Sequence, residues 1–216
     1  PDGSLYVATK QGRVRRHAGG SLQGAPCVDL SDEVNDYGDR GLLALALHPG
    51  FTPDGGPASW VYLLYTVSPL RGQDVPYDFD DMFSFSRLTR YRADTLAGDV
   101  LLDEASRQVL LGNQLPDGSV PDAIASVHVS HSNGTLVFAD DGSLFVTAGE
   151  GAHFDLVDTG GNDDPAFDDW VHPDTGLRGP LPKVQDLGAF RAQDLRSLGG
   201  KVLRLDPETG FGYPSN

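Results

Sequence analysis

His131 and Glu150 are the two side chains whose types and spacing point most directly to chemistry. His131 stands ahead of a short apolar run, Thr135 to Phe138, and Glu150 stands just beyond the next, Leu144 to Ala148. If those runs pair as a hairpin, both residues lie at one edge of one sheet. A carboxylate that accepts one imidazole N–H fixes the tautomer and leaves the other ring nitrogen as a base, the arrangement that acid–base catalysis uses. The competing role for His131 is that of a strand cap bonded to a backbone carbonyl.

Other chemistry-bearing residues are less ordered. Asp163, Asp164, Asp168 and Asp169 have the oxygen-rich character that calcium prefers, but they lack the Asp-x-Asp-x-Asp-Gly loop pattern; Asp163 and Asp164 are the candidate metal ligands, against a solvated loop. His17, His48, His128, His153 and His172 show no metal-ligand spacing and receive no catalytic role. Gly149-Glu150-Gly151 opens no phosphate-binding helix, which argues against nucleotide cofactors, and no Ser or Cys sits in a nucleophile elbow. Asn133-Gly134-Thr135 fits a glycosylation sequon, a pattern short enough to arise by chance. Cys27 is the single cysteine, so no disulfide forms within the chain, and it reads as a small buried apolar residue.

The elements that must position these groups are strands. Asp2-Gly3-Ser4-Leu5-Tyr6-Val7-Ala8 returns as Asp141-Gly142-Ser143-Leu144-Phe145-Val146-Thr147, each an Asp-Gly turn feeding a strand. A partner follows each copy, Gly12 to Arg16 after the first and Gly200 to Leu205 after the second. A recurring hairpin is the signature of radially repeated β architecture. Further strands are expected at Gly41 to His48, Trp60 to Val67, Phe85 to Ala93 and Val109 to Leu111, with almost no helical periodicity, so the chain reads as all-β. The continuous apolar run Trp60 to Thr66 reads as an inner strand; Arg87 to Arg92 alternates charge with apolar groups and reads as a strand with one wet face. Three stretches break the rhythm, near 68–82, 114–129 and 150–198, and loops of such length are either functional or disordered.

The net charge of −15 repels phosphate backbones and anionic lipid heads, so nucleic acid and membrane surfaces are not expected partners. No run reaches the roughly 18 apolar residues of a membrane span. The chain opens on Pro1 without a Met and stops at Asn216, which reads as a piece of a larger protein.

Seven stretches, in order, resemble the soluble PQQ-dependent glucose and sorbosone dehydrogenase family, which includes aldose sugar dehydrogenases and hedgehog-interacting-protein-like members. They are Asp2 to Val7 with Gly12-Arg13-Val14, Asp39 to Phe51, Val61 to Tyr65, Ser86 to Arg92, His131 to Phe138, Asp141 to Gly151, and Ala192 to Leu195 running into Gly200 to Asp206. The resemblance implies a six-bladed β-propeller of which residues 1–216 form roughly the first half, about three blades. It implies His131 as the base taking the proton of a sugar's anomeric hydroxyl while hydride passes to pyrroloquinoline quinone (PQQ). Glu150 then orients His131, with one methylene more than the Asp usual in the family. Asp39 falls where the family places a polar residue facing sugar, followed by Arg40, although an Asp-Arg-Gly turn with a surface ion pair reads equally well. Ser130 stands where glucose enzymes carry a sugar-touching Asp, which implies a substrate other than glucose.

The resemblance further implies that PQQ is held by cationic residues beyond residue 216, and that calcium is a second cofactor. It implies an external electron acceptor such as a cytochrome or quinone, and a periplasmic or extracellular location. The alternative within the same family is a non-enzymatic propeller that binds a protein or glycan.

Overall fold

The computed structural model describes residues 3–70, 83–161 and 164–213. They form twelve strands in three antiparallel sheets. The first sheet joins β1 (Leu5–Ala8), β2 (Arg13–Ala18), β3 (Ser21–Leu22) and β4 (Val28–Asp29). The second runs in order through β5 (Leu42–Leu47), β6 (Trp60–Val67), β7 (Phe85–Leu96) and β8 (Asp99–Leu111), with β9 (Ile124–Ala125) added to β7. The third is β10 (Asn133–Phe138), β11 (Leu144–Ala148) and β12 (Lys201–Leu205).

Both copies of the repeat form the expected hairpins. Leu5 pairs with His17 in the first, and Leu144 pairs with Leu205 in the second, so the long insertion returns the chain to the strand it left. In the second copy the turn is closed by Asp141, whose carboxylate accepts from Ser143 N at 3.0 Å and Ser143 Oγ at 2.6 Å.

All eight residues of β6 are buried, as its apolar run requires. Tyr62 meets Phe138 of the third sheet edge to face at 5.1 Å, joining two sheets through one core. Cys27 is buried too, and desolvation pushes its thiol up to about 11, which keeps it an inert packing residue.

β7 does not have the wet face its alternation predicts: Phe85 through Tyr91 are all buried. Arg87 donates to Gly112 O at 2.9 Å and to Glu33 at 3.1 Å, while Arg90 donates to Gln108 at 2.8 Å and Pro207 O at 3.0 Å with its guanidinium over the Trp60 ring. These charges are compensated inside the protein instead of solvated, which periodicity cannot distinguish.

β8 is far longer than Val109 to Leu111: Asp99 to Asp103 pair with Leu96 to Arg92 of β7, separated by a bulge from the pairing at Gln108 to Leu111, and such a ladder needs no continuous apolar run. The stretch 114–129 contains β9 and buried Val120 and Ala123. The described residues of the stretch 150–198 are also folded, with 3-10 turns at Lys183–Gln185 and Gly188–Gln193 and with Ala166, Phe167 and Leu181 in the core. Of the stretch 68–82, residues 71–82 lie outside the described residues.

Candidate functional site

The third sheet carries the candidate site. Asn133 of β10 pairs with Ala148 of β11, and the ladder continues past both strand ends: Gly149 N donates to Ser132 O at 2.6 Å and Gly151 N to His131 O at 2.9 Å. His131 and Glu150 therefore face each other across the end of one hairpin. His131 Nδ1 is bonded to a Glu150 carboxylate oxygen, with the two side chains 45% and 24% exposed. His131 also holds a φ of 54°, a left-handed conformation uncommon for a residue with a side chain. Nε2 is the nitrogen left for a ligand.

Below His131 lies a buried row of hydroxyls, Ser126 to Ser132 at 2.9 Å and Ser132 to Thr66 at 3.0 Å, which ties the loop to β6. Asp39 is exposed, and its backbone N–H donates to Val129 O at 2.7 Å, so its loop and the His131 loop share one rim. Arg40 is placed differently from a sugar ligand. It is fully buried and donates to Ser126 O at 2.8 Å and Val127 O at 2.9 Å, so it supports the His131 loop from behind. Ser130 is buried as well, its hydroxyl paired with His128 Nδ1 at 2.9 Å, which leaves it a supporting role.

Sequence spacing missed His128 and His153. Their ring centroids lie 3.9 Å apart beside the site with the planes tilted by 38°, and residues 25 positions apart carry no local signal of such a contact. Burial, then His153, then Arg40 hold the His128 imidazole below its ordinary value of 6.5. Its neutral form is the one the fold favours, so its stabilising share is complete above pH 6.5 and is lost as pH falls from there through the lower folded value. Denaturant unfolding of the intact protein should show stability dropping below that pH, with a shallower drop in His128→Asn. An equal drop in the variant would assign the effect to other groups.

Of the two candidate metal ligands, Asp163 lies outside the described residues. Asp164 accepts from Ala166 N at 2.9 Å, and burial holds its carboxyl above the usual range. Asp168 accepts from Lys183 N at 3.0 Å and Asp169 pairs with Lys183 Nζ at 2.9 Å. Among the described residues no group of three or more His, Cys, Asp or Glu could hold a metal ion, and no helix is long and apolar enough to cross a membrane. A cavity of about 700 Å³ near Leu70, Gln114 and Arg178 is lined by neither His131 nor Glu150.

Three antiparallel sheets, two of which carry copies of one hairpin, define part of a β-propeller. The structure resembles that of the PQQ-bound form of an aldose sugar dehydrogenase from Streptomyces coelicolor, with a TM-score of 0.53 and 22% identity over all of this chain and 45% of that one. The chain belongs to the glucose / sorbosone dehydrogenase family, whose family model matches residues 1–164. It is also 26% identical over 160 residues to the hedgehog-interacting proteins of Mus musculus and Homo sapiens. That match covers 69% of this chain and 19% of theirs, so the chain spans a minor part of each of these relatives.

Proposed function

We propose that the protein oxidises an aldose at C1 to the lactone with PQQ as hydride acceptor and His131 as general base. The observation that carries this reading is the His131–Glu150 bond at the open end of the third sheet. With the Glu150 carboxylate accepting the Nδ1 proton, the tautomer is fixed and Nε2 takes the anomeric hydroxyl proton. The carboxylate then stabilises the imidazolium that forms. Asp39, on the shared rim, orients sugar hydroxyls through its two carboxylate oxygens.

PQQ, when bound, supplies the two-electron acceptor. Its three carboxylates call for positive partners, but the two arginines next to the pair are buried and committed to backbone carbonyls, Arg40 to Ser126 and Val127 and Arg191 to Gln185 and Glu150. The described residues fit the base and sugar end of the site and not a quinone clamp, so the chemistry derived from them stops at proton removal. Calcium accompanies the quinone in this reading, and an external acceptor such as a cytochrome or quinone, in a periplasmic or extracellular setting, completes it.

The likeness to hedgehog-interacting proteins favours a second reading, a propeller that binds a protein or glycan without catalysis. Titrating the intact protein with PQQ and calcium, with dye reduction followed across a panel of aldoses, separates the two. Saturable quinone binding with sugar-dependent dye reduction is the expected result. No binding at micromolar quinone would leave the interaction module.

A further inference from the structure

The long insertion sends one side chain back to the His131–Glu150 pair. Arg191, in the second 3-10 turn, is 2% exposed. Its Nε donates to Gln185 O at 2.7 Å, its Nη1 donates to Glu150 O at 2.8 Å, and its guanidinium lies over the Phe167 ring at 5.6 Å. Lys201 of β12 in turn donates to Arg191 O at 2.7 Å, so the turn bearing Arg191 is fastened to the hairpin it supports.

We propose that Arg191 is a positioning residue that acts through Glu150, holding its backbone so that its carboxylate meets His131 in one geometry. The proposal rests on the dehydrogenase reading for its kinetic consequence and on geometry alone for its effect on His131.

The backbone on both sides of Glu150 is held by main-chain bonds: Gly149 N to Ser132 O, Gly200 N to Gly149 O, Gly151 N to His131 O, and His128 N to Gly151 O. The carbonyl of Glu150 itself is held by Arg191. Glu loses more rotamer freedom than Asp on being ordered, so a fixed backbone matters more for placing its carboxylate. A planar fork can span two carbonyls from one rigid group; a lysine ammonium is a point charge and holds one geometry less well.

The acidic residues of the insertion fit the same arrangement. Desolvation lowers the Arg191 pKa, and the carboxylates of Asp158, Asp164, Asp186 and Glu150 oppose that fall, so the acidic insertion surrounds a cation the chain itself provides. Burying that guanidinium is tolerable because its charge is opposed on several sides and its N–H groups are directed at carbonyls.

The test uses the intact protein and the variants Arg191→Lys, Phe167→Leu, Glu150→Gln and Arg191→Lys/Glu150→Gln. Arg191→Lys keeps a cation among the aspartates and lets the insertion fold; Phe167→Leu keeps the guanidinium and removes the ring beneath it. The ring nitrogen chemical shifts of His131, which report its tautomer and its Nδ1 hydrogen bond, are the readout independent of activity. The His131 Nδ1 chemical shift is expected to move in Arg191→Lys toward its position in Glu150→Gln, and to move the same way by less in Phe167→Leu.

With PQQ loaded, kcat for aldose oxidation should fall about 10- to 100-fold in Arg191→Lys, the range seen for residues that orient a catalytic ligand or base, with KM little changed. The double variant should be no slower than Glu150→Gln alone, because the two act as one unit. A His131 Nδ1 chemical shift unmoved in both Arg191→Lys and Phe167→Leu would overturn the proposal, and so would kcat losses that multiply in the double variant. If no form oxidises sugar, the dehydrogenase reading fails and the His131 ring shifts alone decide the role of Arg191.

Discussion

Replacing His131 by Gln is expected to lower aldose turnover of the intact protein by about 10²- to 10⁴-fold, the contribution typical of a positioned general base. Gln cannot take up the anomeric proton. The loss should fall on kcat and kcat/KM together, since the missing interaction is made as the proton moves and not when sugar binds. The side chain is 45% exposed and its bond is to one partner, Glu150, so the fold should survive the change. Steady-state kinetics beside a thermal melt checks both halves. A variant with unchanged turnover would remove His131 from the mechanism, and one that failed to fold would return it to the strand-cap role that its sequence position also allows.

Gly149→Ala should damage both stability and activity, although it adds one methyl. A Cβ at this position would fall on the backbone carbonyl oxygens of His131 and Ser132. Backbone has no rotamer to yield, so relief requires β10 and β11 to part where Gly149 N now reaches Ser132 O at 2.6 Å. Overpacking of this kind costs about 1–3 kcal/mol or more. The same displacement separates His131 from Glu150, so turnover should fall with the melting temperature. Gly142→Ala is the control: it has open space for a Cβ, though its φ of 85° makes it a strained site of its own kind. Loss of stability without loss of turnover in Gly149→Ala would show that the pair tolerates movement of the hairpin end.

The site was legible in the sequence to the extent that it is local. His131 and Glu150 bracket two short strands, and antiparallel pairing of those strands brings their outer neighbours together. The supporting residues are the reverse case. Arg40 reads as a surface or sugar-facing charge beside Asp39, yet it is buried under Ser126 and Val127, 86 and 87 positions away in the chain. Arg191 lies in the long stretch 150–198 with no local sequence signal, yet its fork ends on Glu150, 41 positions earlier. The alternating β7 fails for the same reason. Arg87 and Arg90 look solvated until Glu33, Gln108 and Pro207 arrive from distant segments to compensate them.

By itself the sequence determined the strand class, the repeated hairpin, the continuous inner strand β6 and the two residues that face each other at the end of the third sheet. Those follow from period-2 patterning, turn chemistry and pairing between neighbours in the chain, all of which act over a few residues. Only the tertiary structure decided which charges are buried, that the described part of the stretch 150–198 is folded, and that the His128 and His153 rings meet. A buried arginine and an exposed one have the same local sequence; what separates them is whether a carbonyl or carboxylate from far along the chain is brought to the guanidinium.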